Sequence, residues 1–152
     1  MRSLREASLT MGRRSYRDVK QAFGPEAEKA FRFLVDERGF EPPERDDFMM
    51  PGFIYHSVAM RYEVILNTHE DRLSVTAVLV QGPTRTRAAL EDLVTASGLG
   101  SGQNVFSSAR TVRALLKALA DQAEWVKRLD PILVAGGGRE LIERAGQRWT
   151  GS

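Results

Sequence analysis

The sequence predicts an α+β domain: a three-stranded or slightly larger antiparallel β-meander packed by an N-terminal helix and several C-terminal helices. Three observations carry this. Residues 53–81 contain three apolar segments with a two-residue alternation. Residues 108–129 carry one apolar stripe at helical spacing with a charged opposite face. The links between the apolar segments are too short for the crossover that parallel pairing requires.

The elements follow in order. Gly24-Pro25-Glu26 reads as a helix start, because proline at the first helical position loses an N–H that has no intrahelical partner. Residues 15–23 add a turn or two before it. Ala27, Ala30, Phe31, Leu34 and Val35 then share one face. Gly39 suits the position just past the helix end, where positive φ is needed, and Phe40 packs back. Residues 41–52 (EPPERDDFMMPG) form a loop with three prolines and a cluster of large apolar side chains, Phe48, Met49 and Met50. Such side chains either close one end of a core or form a partner-binding patch.

The segment from Phe53 to Met60 is rich in aromatic and β-branched residues. Tyr62, Val64 and Leu66 alternate with polar neighbours, and Leu73, Val75, Ala77 and Leu79 repeat the pattern. The first two strands meet near Ser57–Met60, and residues 67–72 make a polar hairpin turn. Val78, Leu79 and Val80 are apolar on both faces, so the strand's end is covered on both sides. Gly82-Pro83 stops the strand. A short helix over 88–96 turns Ala89, Leu90, Leu93 and Val94 inward and ends at Gly98. In the long helix, Ser107 or Ser108 is the cap. Its stripe is Val112, Leu115, Leu116, Leu119, Ala123, Val126 and Leu129. Asp130-Pro131 begins a separate short helix to Ala135, Gly136–Gly138 break it, and residues 139–149 form a last amphipathic helix. The core is expected on Phe31, Leu34, Val64, Leu66, Val75, Leu79, Leu115, Leu119 and Val126.

At 152 residues the chain fits one domain with a real core. It has no cysteine, which excludes disulfides, thiolate metal ligands and cysteine nucleophiles and fits a reducing compartment. No apolar run has signal-peptide or membrane-span length. The expected setting is the bacterial cytoplasm. Net charge is +2, unevenly spread. Residues 1–20 hold six bases against two acids, and residues 26–47 hold eight acids against four bases. We expect residues 1–20 to form a basic, partly disordered arm and residues 21–150 to form the domain. The arm is either a solubilising tail or, through Arg13, Arg14, Arg17 and Lys20, a contact for phosphate backbones. Met11 offers a second start, which would leave the first ten residues outside the fold.

No segment carries a recognisable catalytic motif. The two histidines, His56 and His69, lie on a strand and in a turn, and His69-Glu70-Asp71 are adjacent residues whose side chains rarely converge on one ion. No metal and no cofactor are expected. Gly98-Leu-Gly-Ser-Gly102 and Gly136-Gly-Gly-Arg139 both follow helices, unlike phosphate loops, which follow strands. Helix breaking explains them.

The segments Phe31–Phe40 (FRFLVDERGF), Phe53–Ser57 (FIYHS), Tyr62–Leu66 (YEVIL) and Asp71–Val75 (DRLSV) resemble small uncharacterised bacterial α+β proteins, including some polymorphic-toxin immunity families. The resemblance covers about residues 25–82 and is one of residue types. It implies a binding protein and carries over no site residue. Immunity proteins against basic nucleases tend to be acidic, and this chain is not. The expectation is therefore a non-enzymatic protein-interaction domain, of immunity-inhibitor type in its narrower form, with a protein partner. The alternative is nucleic-acid association through the arm. The partner surface is expected at Phe48, Met49, Met50, Phe53 and Tyr55, ringed by Asp46 and Asp47, because aromatic and Met side chains favour interface cores and polar ones the rim.

Overall fold

The computed structural model describes the backbone of residues 4–58 and 60–150, and side chains within 17–58 and 60–146. Helices α1 (Leu4–Ala30) and α2 (Arg32–Arg38) lead into strands β1 (Glu44–Arg45), β2 (Gly52–His56), β3 (Met60–Asn67), β4 (Arg72–Gln81) and β5 (Thr84–Ala89). Then come α3 (Leu90–Ser97), a short 3₁₀ turn (Gly102–Asn104), α4 (Val112–Val134), α5 (Gly138–Ala145) and β6 (Gln147–Thr150). The six strands lie in chain order, every neighbouring pair antiparallel. This is the expected α+β meander, larger by β1, β5 and β6.

Register sorts the faces. Phe53, Tyr55, Tyr62, Val64, Leu66, Leu73, Val75, Ala77 and Leu79 share one side through the pairs Tyr55↔Tyr62↔Ala77 and Phe53↔Val64↔Val75. They join one apolar cluster with Phe23, Phe31 and Leu34 from the N-terminal helices, Leu90 and Leu93 from α3, Leu115, Leu119 and Val126 from α4, and Leu141 and Ile142 from α5. All nine expected core residues are buried there. The opposite face carries Ile54, His56, Arg61, Glu63, Ile65, Ser74, Thr76, Val78 and Arg87. Val78 is fully buried on it, flanked across the ladder by Arg61 and Arg87.

Several expectations are corrected. The first helix does not start at Gly24-Pro25, since Pro25 lies inside α1. Proline there removes the N–H that would bond the carbonyl of Gln21. The helix persists because Val19, Phe23 and Ala27, four residues apart, bury one continuous stripe across the lesion. Residues 4–20 lie within this helix, and Val19, at 4% exposure, belongs to the core. The chain instead breaks at Phe31, whose backbone leaves the helical region. Gly39 takes φ 75°, and the N–H of Phe40 donates to the Leu34 carbonyl at 3.0 Å.

Gly82-Pro83 does not merely stop β4. Gly82, at φ 60°, makes the tight turn into β5, as two-residue hairpin loops require. The long helix is capped by Thr111, whose Oγ1 accepts the Ala114 N–H at 3.0 Å, and not by Ser107 or Ser108. Those serines bond to the start of β4. Leu73 N–H donates to the Ser107 carbonyl, and Ala109 N–H to that of Asp71, both at 2.8 Å. Leu116 is exposed, off the buried stripe of α4. Asp130-Pro131 lies within α4, not at the start of a new helix. The Lys127 carbonyl, which Pro131 leaves without its helical donor, accepts Nη2 of Arg38 at 3.5 Å. The last expected helix ends at Ala145, and Trp149 lies in β6 beside Arg85.

Candidate functional site

The hairpin that joins β1 to β2 gathers the expected patch. Asp46 N–H donates to the Gly52 carbonyl at 2.9 Å and closes the hairpin. The Asp46 carboxylate then accepts the Phe48 N–H at 3.1 Å, and Arg45 Nε donates to the Asp47 carboxylate at 2.6 Å. Beyond these ties, Met50 N–H reaches back to the Phe48 carbonyl at 2.8 Å. Met49, between them, has φ 68°. A three-residue turn of that sense is rare and strained. Its effect is to hold Phe48 and Met49 outward, at 86% and 80% exposure. Met50 is half-buried.

Arg45 anchors the base of this tip. Its guanidinium lies 5.5 Å from the centre of the Phe23 ring and 4.7 Å from that of Phe53. The missing side chain at Gly24 leaves it room, since a Cβ there would come within 2.9 Å of the guanidinium. Phe53 and Tyr55, expected in the patch, face the other way. Their alternation with Gly52, Ile54 and His56 puts them on the helix-covered side, both buried. The tip thus comprises Asp46, Asp47, Phe48 and Met49, with Met50 at its edge. It lies at the same end of the sheet as the Asn67–Arg72 turn.

The basic residues are differently placed. Arg17 and Lys20 are exposed on α1, while the side chains of Arg13 and Arg14 lie outside the described residues. Lys20 shares a small pocket with Asn67, Thr68, Asp71 and Arg110. Arg110 was not anticipated, because the topology alone brings residues 20, 67–71 and 110 together.

His69 is exposed, in a turn whose N–H groups at 69 and 70 donate to Asn67 Oδ1 at 3.0 Å. His56 lies 3.5 Å from the Glu44 carboxylate on the sheet edge. Among the described residues, no group of three His, Asp or Glu side chains is placed to hold a metal ion, and no helix is long and apolar enough to cross a membrane. The two glycine segments are structural. Gly98, at φ 77°, ends α3, and a Cβ on Gly138 would strike the Leu133 carbonyl at 1.8 Å.

Two buried polar groupings escaped the sequence. Tyr62 donates its hydroxyl to the buried Asp130 carboxylate at 2.7 Å, tying β3 to α4. Burial, then the neighbouring Asp130 charge, push the Tyr62 phenol well above the ordinary tyrosine range. On the opposite face, Glu63 is held between Arg61, at 3.4 Å, and Arg87. Alternation marks these positions as facing inward or outward but not which partners meet across the sheet.

No family model matches the chain, and neither a curated protein nor a solved structure shows significant similarity to it.

Proposed function

We propose that this chain is a non-enzymatic protein-interaction domain that engages its partner through the tip of the β1–β2 hairpin. The observation that carries this is the pair Phe48 and Met49, large apolar side chains displayed to solvent on a strained, hydrogen-bonded turn. Hydrophobic collapse would turn them inward, and a conformation that costs energy is retained where it is used. Glu44, Asp46 and Asp47 against Arg45 give the rim two excess negative charges. The complementary surface is an apolar recess edged with basic groups. An immunity-type inhibitor is the narrower form of this reading, and it rests on the sequence resemblance.

The test compares wild-type protein with a Phe48→Ala, Met49→Ala variant in crosslinking capture. The variant should keep the wild-type melting temperature and lose the captured partner. A partner retained at equal yield sinks the tip as the interface. Where a toxin gene adjoins this one, co-expression asks the narrower question.

A second reading has one supporting observation. Lys20 and Arg110 flank a pocket, and Arg17 is exposed on the same helix, an arrangement suited to a phosphate group. Deleting residues 1–20 would remove Val19 from the core, so the clean variant is Lys20→Ala with Arg110→Ala. Salt-dependent nucleic-acid binding that this variant abolishes would favour the second reading over the first.

A further inference from the structure

The phenol of Tyr55 ends in a place that needs explanation. The residue is 1% exposed, and its hydroxyl has no hydrogen-bond partner. An orphaned buried hydroxyl is costly, and proteins rarely leave one without a water or ligand. Tyr55 forms part of the lining of a surface notch of about 190 Å³ with Glu28, Arg32, Asp36 and the two prolines of the Glu41–Pro43 loop.

The charges around this notch are free. Glu28, Arg32 and Asp36 follow one another at four-residue spacing, which on a continuous helix normally gives ion pairs. None of the three makes an ion pair or a side-chain hydrogen bond among the described residues. The break at Phe31 separates Glu28 on α1 from Arg32 on α2, while Arg32 and Asp36 share α2 and are unpaired as well. One exposed cation, two exposed carboxylates and a buried, unpartnered hydroxyl therefore line one notch.

We propose that this notch binds a small zwitterion of the α-amino-acid class. A ligand carboxylate accepts from the Arg32 guanidinium and the Tyr55 hydroxyl, and its ammonium donates to Glu28 or Asp36. A simple anion would meet two carboxylates, and a simple cation would meet Arg32. Only a molecule bearing both charges satisfies the whole set. The small volume and the prolines limit the side chain to a few atoms. This site is independent of the hairpin tip, so Phe48→Ala leaves it unchanged.

Thermal shift and isothermal titration with the full chain test it, using glycine and L-alanine as probes and methylamine and acetate as single-charge controls. The expected result is a saturable stabilisation by the amino acids that neither control gives. Tyr55→Phe keeps the ring and removes the hydroxyl, and should weaken binding about tenfold, the effect of one lost buried hydrogen bond. Arg32→Gln, at an exposed position, should abolish binding with an unchanged ligand-free melting temperature. Lack of response to either amino acid at millimolar concentration overturns the proposal. So does an equal response to acetate or methylamine, or full affinity in Tyr55→Phe.

Discussion

Replacing Phe23 with alanine tests whether the helix upstream of Pro25 belongs to the domain. Phe23 is fully buried, its ring centre is 5.7 Å from that of Phe53, and the Arg45 guanidinium lies over both rings. Removing a buried phenyl ring costs about 3–5 kcal/mol, the lost transfer energy plus that of the cavity left behind. The loss of the Arg45 contact over Phe23 adds about 0.5–1 kcal/mol. Against a total stability of roughly 5–15 kcal/mol, this is a large fraction. At about 2–4 °C per kcal/mol for a chain of this size, the melting temperature should fall by roughly 7–24 °C. Calorimetry and urea unfolding of wild-type, Phe23→Ala and Phe48→Ala proteins provide the comparison. The exposed Phe48 should change stability by no more than about 0.5 kcal/mol. If Phe23→Ala melts with wild type, the helix before Pro25 does not pack against the sheet and the placement of α1 is wrong.

Other perturbations probe separate joints. Tyr62→Phe leaves the buried Asp130 carboxylate without its donor and should cost about 1.5–3 kcal/mol in urea unfolding; a wild-type midpoint would remove this bond from the fold's support. Burial holds the phenols of Tyr55 and Tyr62 above the ordinary tyrosine range. The folded state therefore keeps protons that the unfolded chain releases above about pH 10, and the tyrosines' contribution to stability should be constant below that pH and fall as pH rises beyond it. A urea midpoint that stays flat from neutral pH through the alkaline range would contradict this. Thr111→Ala removes the cap of α4 and should cost about 1 kcal/mol, whereas Ser108→Ala, at one of the two positions expected from sequence to cap it, should not act through the helix. Met49→Gly relieves the positive φ and should stabilise the protein by about 1 kcal/mol while removing part of the proposed contact surface.

Periodicity carried most of the architecture. The alternation in Tyr62–Leu66 and Leu73–Leu79 and the stripe in α4 were legible because each buries one face, and burial imposes period. Where burial is weak or small side chains do the packing, the signal fades. Strand β5 reads TRTRAA, with only Thr86 and Ala88 buried against the helices, so it shows no apolar alternation. Pro25 and Pro131 misled for a different reason. Local chemistry says that each starts a new helix, but tertiary contacts overrode it: the Val19–Phe23–Ala27 stripe at one, Arg38 on the freed Lys127 carbonyl at the other. For the candidate site, Asp46 to Met49 were legible as a cluster of unusual composition. That Phe53 and Tyr55 turn away from them was also encoded, in the two-residue period that puts both on the side of Val64 and Tyr62. The four-residue spacing of Glu28, Arg32 and Asp36 was visible, but that Tyr55 of β2 lines the same notch was not, because it depends on how the sheet packs against α1 and α2.

The sheet's strand order has a kinetic consequence. Each strand pairs with the next along the chain, so β1 to β5 can assemble as successive hairpins, each closing a loop of a few residues. Local pairing of this kind keeps the loop-closure entropy small and the folding rate high for a sheet protein. The contacts that must wait are the distant ones: α1 against α4, β6 against β5, and residues 107–109 against the start of β4. Substitutions within the β3–β4 hairpin should therefore slow folding, whereas those in the α1–α4 contact should chiefly speed unfolding.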